Sequence, residues 1–187
     1  MKNHIAMATT IAGLGLTLAL VLLLGGESLP IARAESFTVD VLNDESDGSC
    51  TPGDCSLREA IIEANGNGQA DEITLGPGTH ALTITGTNEN DCATGDLDVS
   101  EALTITGQGP DQTIIDASGV FTDRVFDIRH GADTVVISGV TILDGNITGD
   151  GGGIYVADGN LSLVNSAVLS STGSFGGGIH NDDANLS

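Results

Sequence analysis

The sequence predicts an all-β fold: a right-handed parallel β-helix (β-solenoid), opened by one short capping helix and incomplete at its C-terminal end. Three observations lead there. Segments recur at spacings of 21 to 26 residues, which gives a unit of 21 to 32 residues. Short runs inside each repeat alternate apolar and polar residues at period 2. A single amphipathic helical stretch, "CSLREAIIEANG" from Cys55 to Gly66, precedes them all.

The repeats carry the architecture. "GGGIYVADGNLS" from Gly151 matches "GGGIHNDDANLS" from Gly176, 25 residues on. "TVVISGVTIL" from Thr134 matches "NLSLVNSAVL" from Asn160 in apolar pattern, 26 residues on. "ALTITG" occurs at Ala81–Gly86 and at Ala102–Gly107, 21 residues apart. Each unit contains three short runs: "VFDI", "TVVISG" and "VTILDGN" in one, "GGIYV", "NLSLVN" and "AVLSS" in the next. Such short strands bury a face only by stacking on the next unit, which is how solenoids form a continuous core. A β-sandwich would instead space its strands about 8–12 residues apart with no longer period. Parallel crossovers are right-handed in nearly all cases. The expected inward column is Leu82, Ile84, Leu103, Ile105, Val135, Ile137, Leu161 and Leu163.

The helix follows from its own residues. Ser56 is a candidate N-cap with Glu59 three positions on, a capping box. Leu57, Ala60, Ile61 and Ala64 recur at i, i+3, i+4 and i+7 and give one apolar face. Asn65-Gly66 ends it, so the helix spans 56–65. A solenoid's first turn presents open strand edges and an open core. An apolar helix laid across it, over an outer strand "EITLG", closes both.

Residues 1–34 have the organisation of a secretory signal peptide: Lys2, an uncharged run from Ile11 to Gly26, and Ala32-Arg33-Ala34 as the cleavage signal. The run is short for a membrane span, which needs about 20 apolar residues, and no Cys follows it to carry a lipid. Residues 35–70 form the N-terminal cap of strand, loop and helix; 71–187 form the β-helix turns, expected to continue beyond Ser187. Removing 1–34 takes away Lys2, Arg33 and Glu27. Three arginines (Arg58, Arg124, Arg129) then face 25 carboxylates, a net charge of −22. That field excludes nucleic acid and anionic membranes as partners, and no second apolar segment inserts in a bilayer. In an exported chain Cys50 and Cys55, flanking the Pro-Gly turn "TPGD", are expected to form a disulfide. Cys92 is left as a free thiol or an intermolecular partner.

The stretch Phe37–Gly66, "FTVDVLNDESDGSCTPGDCSLREAIIEANG", resembles the start of the CSLREA-domain proteins, with Cys55–Ala60 matching that motif in full. The run "RVFDI…VVISGVTILDGN…GGGIY" is similar to pectate-lyase-like and polymorphic-outer-membrane-protein-like β-helix repeats. The latter pair a GGAI motif with Phe-x-x-Asn; here GGGI occurs twice and Phe-x-x-Asn is absent. The resemblance implies export and a surface or secreted role in bacteria, and it brings no catalytic residues with it.

The functional expectation is therefore an exported scaffold or adhesion-type segment, with an unidentified surface partner or a glycan as ligand and no identifiable catalytic residue. The alternative is a polysaccharide-active enzyme. A lyase needs oxygen ligands for Ca²⁺ and a base, for which "TDRVFDIRHGAD" offers Asp123, Arg124, Asp127, Arg129 and His130. A hydrolase needs two carboxylates about a glycosidic bond, for which "GGGIHNDDAN" offers His180, Asp182 and Asp183. The two readings differ in geometry: an enzyme gathers carboxylates with Arg or His on one face, whereas a scaffold scatters them over turns. No cofactor is expected beyond Ca²⁺, whose candidates are Asp44 and Asp47 in "NDESDGS" and Asp144 and Asp150 in "DGNITGD". Neither turn has EF-hand spacing, and Asn and Asp are ordinary turn residues. Thr83-x-Thr85 and Thr104-x-Thr106 suggest an outward ladder of the ice-binding kind, which breaks at Val136/Ser138 and Ser162/Val164. Asn146, Asn160 and Asn185 head Asn-x-Ser/Thr triplets.

Overall fold

The structure, a computed structural model, describes residues 33–87, 89–119, 122–129, 131–182 and 185–187, without the side chain of Asn185. The expected signal peptide falls outside these residues except for Arg33 and Ala34.

After an edge strand β1 (Ser36–Val39) and helix α1 (Leu57–Ala64), the chain winds through about four turns of three strands. The first turn is β2 (Asp71–Leu75), β3 (Gly78–Ala81) and β4 (Leu97–Val99). The second is β5 (Leu103–Thr106), β6 (Thr113–Asp116) and β7 (Phe126–Ile128). The third is β8 (Val135–Ser138), β9 (Thr141–Leu143) and β10 (Ile154–Val156), and the fourth β11 (Asn160–Val164), β12 (Ala167–Leu169) and β13 (Ile179–Asn181). Strand β14 (Asn185–Leu186) follows. The strands stack into three sheets, ordered β1-β2-β5-β8-β11-β14, β3-β6-β9-β12 and β4-β7-β10-β13. Every pairing between these strands is parallel. The chain is thus a parallel β-solenoid with one short helix near its start.

Register follows from burial. Inward residues pair with inward residues, because a slip of one would turn every apolar side chain to solvent. Ile73, Ile105, Ile137 and Leu163 form one inward column of the first sheet, and Leu103, Val135 and Leu161 a second. Leu97, Phe126, Ile154 and Ile179 line the third sheet. The expected column needs one correction. Leu82 and Ile84 are not the turn before Leu103 and Ile105; Asp71 and Ile73 are. Leu82 is buried, but it follows β3 at the corner after the second sheet. The two "ALTITG" copies therefore occupy different places in the turn. For the same reason Thr83 and Thr85 do not extend the Thr104/Thr106 ladder, whose neighbours are Glu72 and Thr74 on one side and Val136 and Ser138 on the other.

Helix α1 packs on β1, β2 and β4. Leu57, Ala60, Ile61 and Ala64 are all buried. Ser56 and Glu59 make both bonds of the capping box, and Asn65 is the C-cap. The outermost strand of the first sheet is β1 rather than "EITLG", which is β2 and lies one place further in. A disulfide joins Cys50 to Cys55, and the Cys92 thiol is free and buried. Among the described residues no helix is long and apolar enough to cross a membrane.

Candidate functional site

The sheet β4-β7-β10-β13 is three residues deep, so the middle residue of each strand points outward while its neighbours point in. Pairing sets these middle residues in one column: Asp98, Asp127, Tyr155 and His180. Before these strands run longer stretches, 82–96, 117–125 and 144–153, whose described residues (all but 88, 120 and 121) include no strand. These rise beside the column and enclose a cleft of about 560 Å³, lined by Glu89, Asp96, Asp123, Arg124, Asp127 and Asn146 among others.

Charge in the cleft is crowded. Asp98 is fully buried, and Asp96, Asp123 and Asp127 nearly so. Arg124 and Arg129 answer them. Arg124 Nη1 donates to Asp127 Oδ2 at 2.9 Å, and Arg124 Nε stands 3.7 Å from Asp96 Oδ2. Arg129 Nη1 reaches Asp127 Oδ2 at 3.0 Å and Asp98 Oδ1 at 3.5 Å. Asp127 thus sits between two guanidiniums, whereas Asp96 has only the long contact to one. Asp127 Oδ1 and Arg124 Nε are buried without a hydrogen-bond partner.

The proton affinities follow. Burial, then the charges of Asp123, Asp98 and Asp127, pushes the Asp96 carboxyl up to about 8, with Arg124 pulling the other way. Burial raises Asp98 to about 6, opposed by the Cys92 N–H and Arg129. Asp123 and Asp127 are also raised by burial; Arg124 opposes the rise at both, joined at Asp127 by Arg129. At neutral pH Asp96 therefore holds a proton, while Asp127 is the carboxylate best supplied with cationic donors.

The column continues as a stack. The Arg124 guanidinium lies 4.8 Å from the Tyr155 ring centre. The Tyr155 ring is parallel to that of His180 with centres 5.5 Å apart, and the Tyr155 hydroxyl donates to Asp182 Oδ2 at 3.0 Å. For a hard cation, the donors brought together are Glu89, Asp96 and Asp98, each offering an oxygen within 4.8 Å of the others.

Of the residues the sequence nominates for lyase chemistry, Asp123, Arg124, Asp127 and Arg129 converge here, and His130 lies outside the described residues. Of the hydrolase set, His180 and Asp182 flank Tyr155, and Asp183 lies outside the described residues. The nominated calcium residues lie elsewhere. Asp44 is committed to Arg58 and to the amides of Thr83 and Ile84. Asp47 is exposed in the cap loop, with its N–H on Glu59. Asp144 adopts a left-handed backbone (φ 63°), and Asp150 accepts the Phe175 N–H. Asn146 and Asn160 are exposed. Sequence reasoning missed Glu89, Asp96, Asp98 and Tyr155. The usable signal was the shared middle position of "LDV", "FDI", "IYV" and "IHN". No protein family, curated protein or solved structure significantly matches this chain.

Proposed function

We propose that this chain is an exported, CSLREA-type β-solenoid whose third-sheet cleft takes a glycan and works on its glycosidic bonds by acid–base chemistry. The observation that carries the reading is the pair Asp96 and Asp127 about one guanidinium, Arg124. One member holds a proton at neutral pH and the other is tied to two cations. Glycoside hydrolysis needs that division of labour: an acid to protonate the leaving oxygen and a carboxylate to activate water or attack the sugar. Asp96 is assigned the acid and Asp127 the base or nucleophile. Among the lining charges Glu89, Asp123 and Asp127 outnumber Arg124, so the cleft disfavours a polyuronate. A neutral or amino-sugar glycan fits it better, and hydrolysis fits better than lyase chemistry. The CSLREA assignment rests on Cys55–Ala60, and export on residues 1–34.

A non-catalytic surface scaffold is the second reading. It is favoured by the closure of the Tyr155 ring between Arg124 and His180, since a purely structural network also ties its groups together. The deciding experiment incubates the processed chain, Asp96→Asn and Asp127→Asn with a panel of neutral, amino-sugar and uronate polysaccharides between pH 5 and 8. New reducing ends are expected from the parent on a non-uronate glycan, with at least a hundredfold loss in either variant. Glycan binding without reducing ends from the parent establishes the scaffold; neither binding nor cleavage across the panel overturns the glycan reading.

A further inference from the structure

We propose that Arg58, in the cap helix and outside the cleft, is a positioning residue for it: by holding the carbonyls of Cys92, Gly95 and Asp96, it fixes where the Asp96 carboxyl stands against Arg124 and Asp127. The inference rests on the reading of Asp96 and Asp127 as the working pair of the cleft.

The excursion 82–96 carries Glu89 and Asp96 into the cleft, and its described residues form no strand. Its backbone must therefore be held by something other than a ladder. The Gly95 N–H donates to Ile84 O at 3.0 Å. The amides of Thr83 and Ile84 donate to Asp44 Oδ2 at 2.7 and 2.8 Å. Cys92 N–H donates to Asp98 Oδ2 at 3.0 Å. Glu89 accepts the Asp91, Ala93 and Thr94 amides, and the carbonyls of Cys92, Gly95 and Asp96 fall to Arg58, which is fully buried. Its Nη1 donates to Cys92 O at 3.1 Å and Asp96 O at 3.2 Å, and its Nη2 to Gly95 O at 2.8 Å. Nε and Nη2 also reach Asp44 Oδ1 and Oδ2 at 2.7 and 3.2 Å. A guanidinium has five N–H groups in a fixed fork, and each has an acceptor here.

The fork acts a short way from the chemistry. Gly95 lies so close to the cleft that a Cβ on it would meet Asp123 Oδ2 at 2.7 Å, and its backbone is left-handed at φ 67°. At its other end the same helix grips the strand after the excursion: Asn65 Nδ2 donates to Asp98 O at 2.8 Å and its Oδ1 accepts from Ser100 N–H at 3.0 Å. Helix α1 thus clamps both sides of Asp96 and Asp98. Lysine cannot substitute for Arg58, because an ammonium has three donors at one point and no planar fork.

The test is site-resolved carboxyl-carbon NMR titration of Asp96, with a chelator present so that no cation competes with the proton among Glu89, Asp96 and Asp98, in the processed chain, in Arg58→Lys, and in Ile61→Val, which loosens the cap but leaves the fork. Arg58→Lys is expected to move the Asp96 midpoint by a unit or more toward the ordinary aspartate range as the excursion loosens and admits water. In Ile61→Val the Asp96 midpoint should not move. An unchanged Asp96 midpoint in Arg58→Lys overturns the proposal, and so does an equal shift in Ile61→Val, which would make the effect general loosening. Should Arg58→Lys not fold, Asp44→Asn unties the fork from its counter-charge and carries the same expectation to a lesser degree. A parent midpoint in the ordinary range would instead overturn the assignment of Asp96 as proton donor. An elevated parent midpoint that Arg58→Lys leaves in place overturns only the role of Arg58.

Discussion

Replacing Asp96 by Asn should make the protein more stable at alkaline pH and flatten its stability profile. The Asp96 carboxyl is nearly buried and pushed up to about 8. In the unfolded chain it titrates near the usual aspartate value of about 3.9. The folded state therefore holds the proton more tightly, so its advantage is complete below the unfolded value and is lost as pH rises through about 8. Between pH 5 and pH 9 a single group with these two values costs the parent on the order of 4 kcal/mol. Asn keeps the shape and cannot ionise, so the variant escapes that cost. His80 works in the opposite sense. Burial lowers its proton affinity, so it contributes stability above the usual histidine range and loses it as pH falls through the folded value. It is present in both proteins and cancels in the difference. The assay is urea unfolding of parent and variant across this pH range, with a chelator present so that no divalent cation takes the proton's place among Glu89, Asp96 and Asp98. The gap between variant and parent should widen in the variant's favour as pH rises. A gap independent of pH, or a variant less stable than the parent at pH 9, refutes the account of a buried proton at Asp96.

Ile61→Asp places a charge against fully buried surface and uncovers the strand edges beneath; it should cost several kcal/mol and promote self-association, while Glu63→Ala, on an exposed position, should do little, as read by thermal unfolding and light scattering. Ile137→Ala, in the middle of an inward column, should cost about 2–5 kcal/mol by urea unfolding, because neighbours on both sides prevent the cavity from closing. Cys92, buried with its thiol pushed up to about 12, should resist a thiol reagent in the native oxidised protein and react once the chain is unfolded, Cys50 and Cys55 reacting only after reduction.

The last two turns are legible in the sequence because their connections are short and alike. Val135 meets Leu161 and Asn160 meets Asn185 at spacings of 26 and 25 residues, close to the repeats seen in the letters. The first two turns are hidden because their columns are 32 residues apart, from Asp71 to Leu103 and on to Val135. The excursion 82–96 takes up much of the difference in the first turn, and the second "ALTITG" copy then invites a false alignment. The cleft was obscure for a related reason. Its floor belongs to strands of three residues, and the identity of an outward residue leaves no mark on an apolar period. Asp98, Asp127, Tyr155 and His180 differ chemically, and only register across four turns makes them neighbours.

The cap motif shows where pattern reading stops short. The apolar stripe of α1 correctly marks one buried face, yet Arg58 and Glu59 lie off that stripe and are buried as well. Helical periodicity equates charge with solvent. Here the cap loop and the excursion 82–96 cover the polar side of the first turn, so its charges must be bonded rather than hydrated. Ser56 Oγ accepts the Glu59 N–H and donates to Glu45 O. Glu59 accepts the Ser56, Asp47 and Gly48 amides. Arg58 fills its fork with Asp44 and three carbonyls. A polar residue with so many fixed partners cannot be exchanged for another of equal charge without leaving a buried group unsatisfied. Glu63, exposed on the same helix, is under no such constraint, and that contrast separates the letters of the motif that specify the cap from those that merely continue a helix.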